Sequence, residues 1–377
     1  MNFLDYQKQR NKNMKHKIST RKVAYHRIIK KIAVWLLCGI LAVSSLTGCS
    51  EAGPEEKPET SITSKEGISG TDESKTDADK INDNVEKTEN QDKDSQTENP
   101  SDKISELDSE HMVTEDNEMD PLLQMEYDRS RIIAKTDYYN TLDNSCPQTW
   151  CFQRKKDHSP SGTYENFKIS DYNAVYLNEF VEEGDKVIYL TFDCGYPSDL
   201  TEKILDTLKK HNVKASFFVT KMYLEGCPEY AKRMKEEGHM VCNHTVTHSD
   251  LVTKDVEKIA SEIFDVAEYF YELTGYTFDP YFRTPTGSYS KKLLTILKDA
   301  GYLTVFWSIA YGDYDPKNQP APGYVTDHFT TYHHNGAIAL MHNDSPSNAN
   351  ELDAVLTLLE KEGYRFGLLD ELSATGD

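Results

Sequence analysis

The sequence predicts an α/β fold, a distorted or incomplete (β/α) barrel. Two observations support this. From residue 187 to 369, short apolar runs of strand length alternate with longer segments whose apolar residues recur at helical spacing. The polar residues best suited to chemistry then fall at the carboxyl ends of five of those runs, where a parallel barrel assembles its site.

Residues 187–192 (VIYLTF) read as the first strand, ending in Asp193. Residues 200–210 carry apolar side chains at helical spacing, and Ser198 or Asp199 can cap them. Residues 214–220 (KASFFVT) are the next strand, and 229–237 the next helix, stopped by Gly238. Residues 239–243 form a third strand and 254–273 a long amphipathic helix. A short fourth strand at 281–284 precedes a helix at 290–300, which Gly301 ends. Residues 303–307 (LTVFW) are a fifth strand, 325–334 a helix, 337–341 (AIALM) a sixth strand, 350–362 a helix and 364–369 a last strand. Repeated βα units of this kind imply a parallel sheet, and about seven of them suggest a barrel.

Asp193 follows the first strand, His244 and His248 the third, Asp313 the fifth and His342 the sixth; Arg283 lies in the fourth. Any one of these could be a cap or a surface charge. Agreement across five strands points to a shared face. His244 and His248 are four apart, so on a helical turn they share one side and can converge on a divalent metal. Taken alone, that spacing also fits surface histidines.

The first 120 residues read differently. Residues 1–48 hold ten Lys and Arg against the single acid Asp5, and 32–47 is an apolar run of sixteen residues. That is short for a membrane span and suits the hydrophobic region of a secretion signal. It closes on Leu46-Thr47-Gly48-Cys49, similar to a bacterial lipobox, which implies cleavage before Cys49 and a lipid on its sulfur. The alternative is an uncleaved signal anchor. Either way the remainder is exported and tethered to the outer face of the cytoplasmic membrane. Residues 49–120 form an acidic linker. Positions 50–120 hold 23 acids, 7 lysines and no aromatic residue. Such a segment cannot bury enough apolar surface to order itself. As a flexible chain it would span roughly 45 Å, lengthened by self-repulsion. Residues 121–184 are then a lead-in packing on the barrel, and 185–373 the main domain.

The chain carries a formal charge of −21, and the part beyond residue 120 remains acidic. This argues against nucleic acid or an anionic polymer as partner and leaves a neutral or locally cationic sugar polymer open. Cys38 lies in the signal and Cys49 at the lipid site; Cys146, Cys151, Cys194, Cys227 and Cys242 remain. Five is odd, so one thiol stays free unless it binds metal or pairs between chains. Cys146–Cys151 and Cys227–Cys242 are the candidate bridges.

Thr191-Phe-Asp193, His244-x-x-x-His248, Arg283-x-Pro285-x-Gly287, Trp307 with Asp313, and Leu340-x-His342 resemble the five motifs of the polysaccharide deacetylases, carbohydrate esterase family 4 with its NodB-type domain. Order and spacing match over residues 185–373. Upstream, Trp150-Cys-Phe152, Lys156-x-His158-x-Pro160 and Tyr172-Asn-Ala-Val-Tyr176 are similar to the lead-in of the subgroup that de-N-acetylates muramic acid in forming the δ-lactam of spore-cortex peptidoglycan.

The resemblance implies a deacetylase barrel with a divalent metal, Zn2+, held by His244 and His248, and catalysis by Asp193, His342, Arg283 and Asp313. Asp193 would be the general base, oriented by Arg283; His342 would protonate the leaving amine, oriented by Asp313. A backbone N–H near Thr286 matches the family's oxyanion donor. No GxSxG elbow is present, which argues against a serine acyl-enzyme. The departure is Cys194, where most of the family has a second, metal-ligating aspartate. Its thiolate could be a third zinc ligand, or it could ligate nothing. The implied activity is hydrolysis of the N-acetyl group of peptidoglycan N-acetylmuramic acid by a monomer whose partners are the glycan strands and, through Cys49, the membrane. Two alternatives are a deacetylase of N-acetylglucosamine or another wall glycan, and a catalytically silent glycan-binding lipoprotein. Retention of all four polar residues argues against the last.

Overall fold

A computed structural model describes residues 119–144 and 148–373. The signal, the lipobox, nearly all of the acidic linker and Cys146 lie outside the described residues.

An eight-stranded sheet, parallel throughout, organises the chain. Its strands are β1 (Ala174–Val175), β2 (Val187–Cys194), β3 (Ser216–Val219), β4 (Met240–Asn243), β5 (Tyr281–Phe282), β6 (Leu303–Val305), β7 (Ala337–His342) and β8 (Arg365–Gly367). The spatial order is β7-β2-β3-β4-β5-β6-β1, with β8 beside the start of β2. All eight residues of β2 are buried, as expected where both faces of a parallel sheet are covered; this is why the strands read as unbroken apolar runs. Beyond β6 the chain returns to β7. The Ser308 N–H donates to Ile338 O at 2.9 Å and the Leu340 N–H to Ile309 O at 2.9 Å. The sheet is therefore curled into a distorted barrel, as the βα pattern predicts.

Strand parity sorts the core. Val187 and Tyr189 of β2 point inward and pack with Phe218, Cys242, Val305 and Ile338. Ile188, Leu190, Phe192 and Cys194 point outward and pack against helices. Those helices are α3 (Leu200–Lys210), α4 (Lys221–Gly226), α5 (Pro228–Glu236), α6 (Val256–Thr274), α7 (Lys291–Asp299), α8 (Tyr324–Tyr332) and α9 (Pro346–Lys361), preceded by α1 (Pro121–Ala134) and α2 (Thr136–Thr141). The predicted helices are present to within a few residues; the six-residue α4 and the pair α1 and α2 were not foreseen.

The lead-in does more than pack on the sheet. Its β1 pairs with β6, Thr304 opposite Ala174, so a boundary at residue 184 divides one sheet. The Trp150 N–H donates to Gly287 O and its indole Nε1 to Trp307 O, both at 2.8 Å, and the ring stacks on Phe306 at 4.7 Å. Cys227 and Cys242 are free, buried thiols. The bridge expected between them does not form: Cys227 joins the outer, helix-facing cluster and Cys242 the inner one, on opposite sides of the sheet.

Candidate active site

Asp193 is the next-to-last residue of β2 and, by parity, faces the interior with Val187 and Tyr189. There it meets Arg283, which follows β5 and is wholly buried. Arg283 Nη1 donates to Asp193 Oδ1 at 2.7 Å, Nε to Val305 O at 2.9 Å and Nη2 to Phe306 O at 3.4 Å. The guanidinium lies over the Phe218 ring at 4.1 Å. A buried cation with that many partners is fixed in place, and it fixes the carboxylate in turn. Burial alone would raise the Asp193 carboxyl, but Arg283, then His244 and His342, outweigh it and hold it below the ordinary carboxylate value.

His342 ends β7 directly opposite Asp193 in the strand register. Its Nδ1 sits 2.9 Å from Asp313 Oδ1, and its backbone N–H donates to Asp313 Oδ2 at 2.9 Å. Asp313 is buried while 23% of the His342 side chain is exposed, so the imidazole is the member of this pair that reaches solvent. Burial lowers the His342 pKa, and the Asp313 hydrogen bond and charge more than reverse it, leaving it raised. Asn348 Nδ2 donates to Asp313 Oδ2 at 2.6 Å and to His342 O at 3.1 Å. The Tyr311 hydroxyl donates to Asn348 Oδ1 at 2.8 Å.

His244 and His248 do converge, with ring centroids 4.8 Å apart at 71°, but not on a helical turn as the spacing predicts. They bracket an irregular loop after β4. Thr245 (φ 76°) and His248 (φ 55°) both take the left-handed region, which breaks any helix and costs on the order of 1–3 kcal/mol per residue. Side chains secure the loop instead. Asn243 Oδ1 accepts the Thr245 N–H at 3.0 Å, and Thr245 Oγ1 accepts the His248 N–H at 3.0 Å. Glu262 Oε2 accepts the N–H groups of Val246 and Thr247. Thr286, in the turn after Arg283, is likewise left-handed at φ 57°, so three non-glycine residues at this face carry backbone strain.

A divalent metal fits the two imidazoles. His244 Nδ1 lies 2.8 Å from Arg283 O, so that nitrogen carries the proton and Nε2 presents a lone pair. Nε2 is buried without a hydrogen-bond partner, 3.5 Å from Asp193 Oδ2. Burial drives the His244 pKa down to about 4, against the pull of Asp193, and also lowers His248. Both rings are therefore neutral donors at pH 7. Among the described residues no cluster of three or more His, Cys, Asp or Glu side chains forms a fuller cage.

Cys194 lies on the other side of the strand from Asp193. It is an outward residue of β2, wholly buried with Ile204, Leu205, Tyr223 and Cys227 in the helix-facing core, while Asp193 beside it faces inward. Burial, then the Asp193 charge, pushes its thiol well above the usual value. Of the two outcomes open for this thiol, third zinc ligand or no ligand, strand parity favours the second.

All six remaining predicted residues meet at the carboxyl ends of β2, β4, β5 and β7 and in the stretch after β6. Sequence reasoning missed Asn243, Glu262, Tyr311 and Asn348. One signal was available: Glu262 interrupts the apolar stripe of Ile259, Ile263 and Val266 on α6, a charge at a core position.

Residues 181–305 match the sequence model of the polysaccharide deacetylase family. Over 228 residues the chain is 42% identical to the peptidoglycan-N-acetylmuramic acid deacetylase PdaA of Bacillus subtilis, covering 60% of this chain and 86% of that one. It is 36% identical over 188 residues to the peptidoglycan-N-acetylglucosamine deacetylase PgdA of Listeria monocytogenes, covering 50% of this chain and 39% of the relative. The solved structure of Bacillus subtilis PdaA, a family 4 carbohydrate esterase, aligns with TM-score 0.58 at 41% identity over 61% of this chain and 98% of that chain.

Proposed function

The chain belongs to the polysaccharide deacetylase family, carbohydrate esterase family 4, whose members hydrolyse amide bonds, and on that premise we propose that it removes the N-acetyl group of N-acetylmuramic acid in peptidoglycan. The observation that carries this reading is the register of β2 and β7. It sets an Arg-held carboxylate opposite an Asp-held imidazole on neighbouring strands. The choice of muramic acid is supported by the likeness to PdaA, which extends over most of that protein.

Amide hydrolysis needs an activated water, a stabilised oxyanion and a proton for the departing amine. Asp193 takes the water proton; Arg283 keeps it ionised and pointed into the cleft. His342 enters the reaction with both ring nitrogens protonated, because Asp313 accepts from Nδ1 and favours the imidazolium. Its Nε2–H then protonates the amine as the C–N bond breaks. The turn at Thr286 offers a backbone N–H toward the acetamide oxygen. His244 and His248 would hold a divalent cation, zinc being one of the metals that imidazole nitrogens suit, and it would supply Lewis acidity to the acetamide carbonyl and acidify the attacking water. Acetate leaves. Once the stem peptide has been removed, the freed amine on muramic acid can attack the carboxyl of the neighbouring lactyl group, forming the amide C–N bond of the δ-lactam as the carboxyl C–O bond breaks and water leaves. We further propose that lipid on Cys49 anchors a monomer outside the cytoplasmic membrane, that residues 49–120 form a reach-extending linker, and that the target is spore peptidoglycan.

The test is mass spectrometry of muropeptides after treatment, with and without prior removal of the stem peptide. The loss of acetyl mass should fall on muramic acid, with a further loss of water wherever the δ-lactam has closed. Loss from glucosamine alone would refute the muramic reading and favour the activity named for PgdA. Chelation should abolish turnover and zinc restore it.

A further inference from the structure

Glu262 is a buried carboxylate that reaches this face without contacting Asp193, Arg283, Asp313 or His342 in any hydrogen bond. It sits midway along α6 with no exposed surface. Oε2 accepts the Val246 N–H at 3.0 Å and the Thr247 N–H at 2.8 Å. Oε1 accepts the Thr247 hydroxyl at 2.8 Å, and Lys258 Nζ, one helical turn back, stands 2.9 Å from it.

Val246 and Thr247 are two of the three residues between His244 and His248. We propose that Glu262 is a positioning residue for the metal, clamping this loop so that both imidazoles face one ion before it binds. The inference rests on the reading of His244 and His248 as metal ligands. The two histidines are held differently. His244 is the residue after β4 and is fixed by Arg283 O. His248 lies four residues further on, in a left-handed conformation, and its N–H is bonded back to Thr245 Oγ1. Residues 245–248 lie in no helix or strand, and one backbone bond reaches them from a neighbouring helix, the Lys221 N–H of α4 donating to Thr245 O at 3.2 Å. Two backbone amides and one hydroxyl converging on a single carboxylate take the place of a helical hydrogen-bond ladder. Lys258 balances the charge from the solvent side of α6, where its side chain is half exposed. Glutamate suits the task because one carboxylate accepts from two amides, a hydroxyl and an ammonium together.

Glutamine would keep one oxygen for the amides and turn an NH2 group toward the Thr247 hydroxyl and Lys258. Thr247 is exposed, so Thr247→Val removes one arm of the clamp with little risk to folding. The experiment is zinc titration by calorimetry into metal-free full-length chain, for the parent, His244→Ala, Glu262→Gln and Thr247→Val, with the melting temperature of each metal-free form. Expected are a Kd about tenfold weaker for Glu262→Gln and about threefold weaker for Thr247→Val. The His248 ring resonances of metal-free Glu262→Gln should also broaden or shift. If both variants bind zinc within about twofold of the parent, Glu262 is only a structural contact and the inference falls, whatever the melting temperatures do. If the parent and His244→Ala bind zinc alike, the histidine reading itself fails and takes the inference with it. The parent comparison separates the two failures.

Discussion

Asp313→Asn is the most discriminating change at the site, because it preserves shape and removes one charge. Asp313 Oδ2 accepts two donors, the His342 N–H and Asn348 Nδ2, while Oδ1 faces His342 Nδ1 alone. An asparagine has one oxygen, and it will settle where two donors wait. Its NH2 then points at His342 Nδ1, which must give up its proton to accept. The ring becomes a neutral Nε2–H tautomer, a poor acid for an amine leaving group. The loss is one charge-assisted hydrogen bond, about 1.5–3 kcal/mol. That corresponds to roughly 1–2 pH units in the His342 pKa and a fall of about 10- to 150-fold in kcat at neutral pH. The sign follows from the raised pKa of the parent: the protonated, active form is lost as pH rises through it, so the alkaline limb of the rate profile should move to lower pH. The assay is kcat against pH on a defined glycan, with the ring followed by NMR. An unmoved alkaline limb together with an unchanged kcat would show that Asp313 does not set the state of His342.

Asp193→Asn should abolish turnover with a native circular dichroism spectrum. The melting temperature should fall, since breaking a buried pair costs about 3–5 kcal/mol. Because the Asp193 pKa is depressed, its contribution to stability is present above the unfolded carboxyl value and lost as pH falls through the folded one. The variant should lack that part of the acid transition, and full activity would sink the base assignment. Cys194→Ser should leave zinc affinity unchanged and lower stability by about 1–3 kcal/mol, from a hydroxyl in an apolar pocket; weakened zinc binding would reinstate the thiol as a ligand. Gly287→Ala should destabilise by roughly 2–4 kcal/mol, from the left-handed backbone and overpacking combined. Gly287 has φ 70°, and an added Cβ would sit 2.7 Å from Trp307 Cη2. A melting temperature equal to the parent's would contradict this.

The sheet was legible because strands covered on both faces read as apolar runs, and Gly238 and Gly301 punctuate the helices between them. Two-residue β1 was not, since Ala174–Val175 is too short for any period to register. The site residues were legible one by one through their places after strands. The supports were not. Asn348 and Tyr311 act from α9 and from the stretch after β6, and only the fold brings them to Asp313. The four-residue spacing of His244 and His248 is the same in a helix and in this loop. What decides between them is whether Glu262, fourteen residues further on, supplies the acceptor that an intrahelical carbonyl would have given.

Cys194 shows how residue type can choose a side of the sheet. The β2–β3 ladder runs on through Cys194, opposite Val219, so parity turns this side chain into the helix layer. A carboxylate there would meet Ile204, Leu205 and Tyr223, and burying it unpaired costs several kcal/mol. The aspartate usual at this position in the family has every reason to leave the ladder and swing toward the cation. A thiol has none, for a cysteine behaves in an apolar pocket as a small hydrophobe. On the proposed metal reading, cysteine here gives up a donor and adds an apolar contact to the outer core in one step. On the proposed reading of His244 and His248 as ligands, two neutral imidazoles would then be the protein's donors. A site with so few protein donors depends on their alignment, which is why the clamp on the 244–248 loop matters more here than it would beside a third ligand.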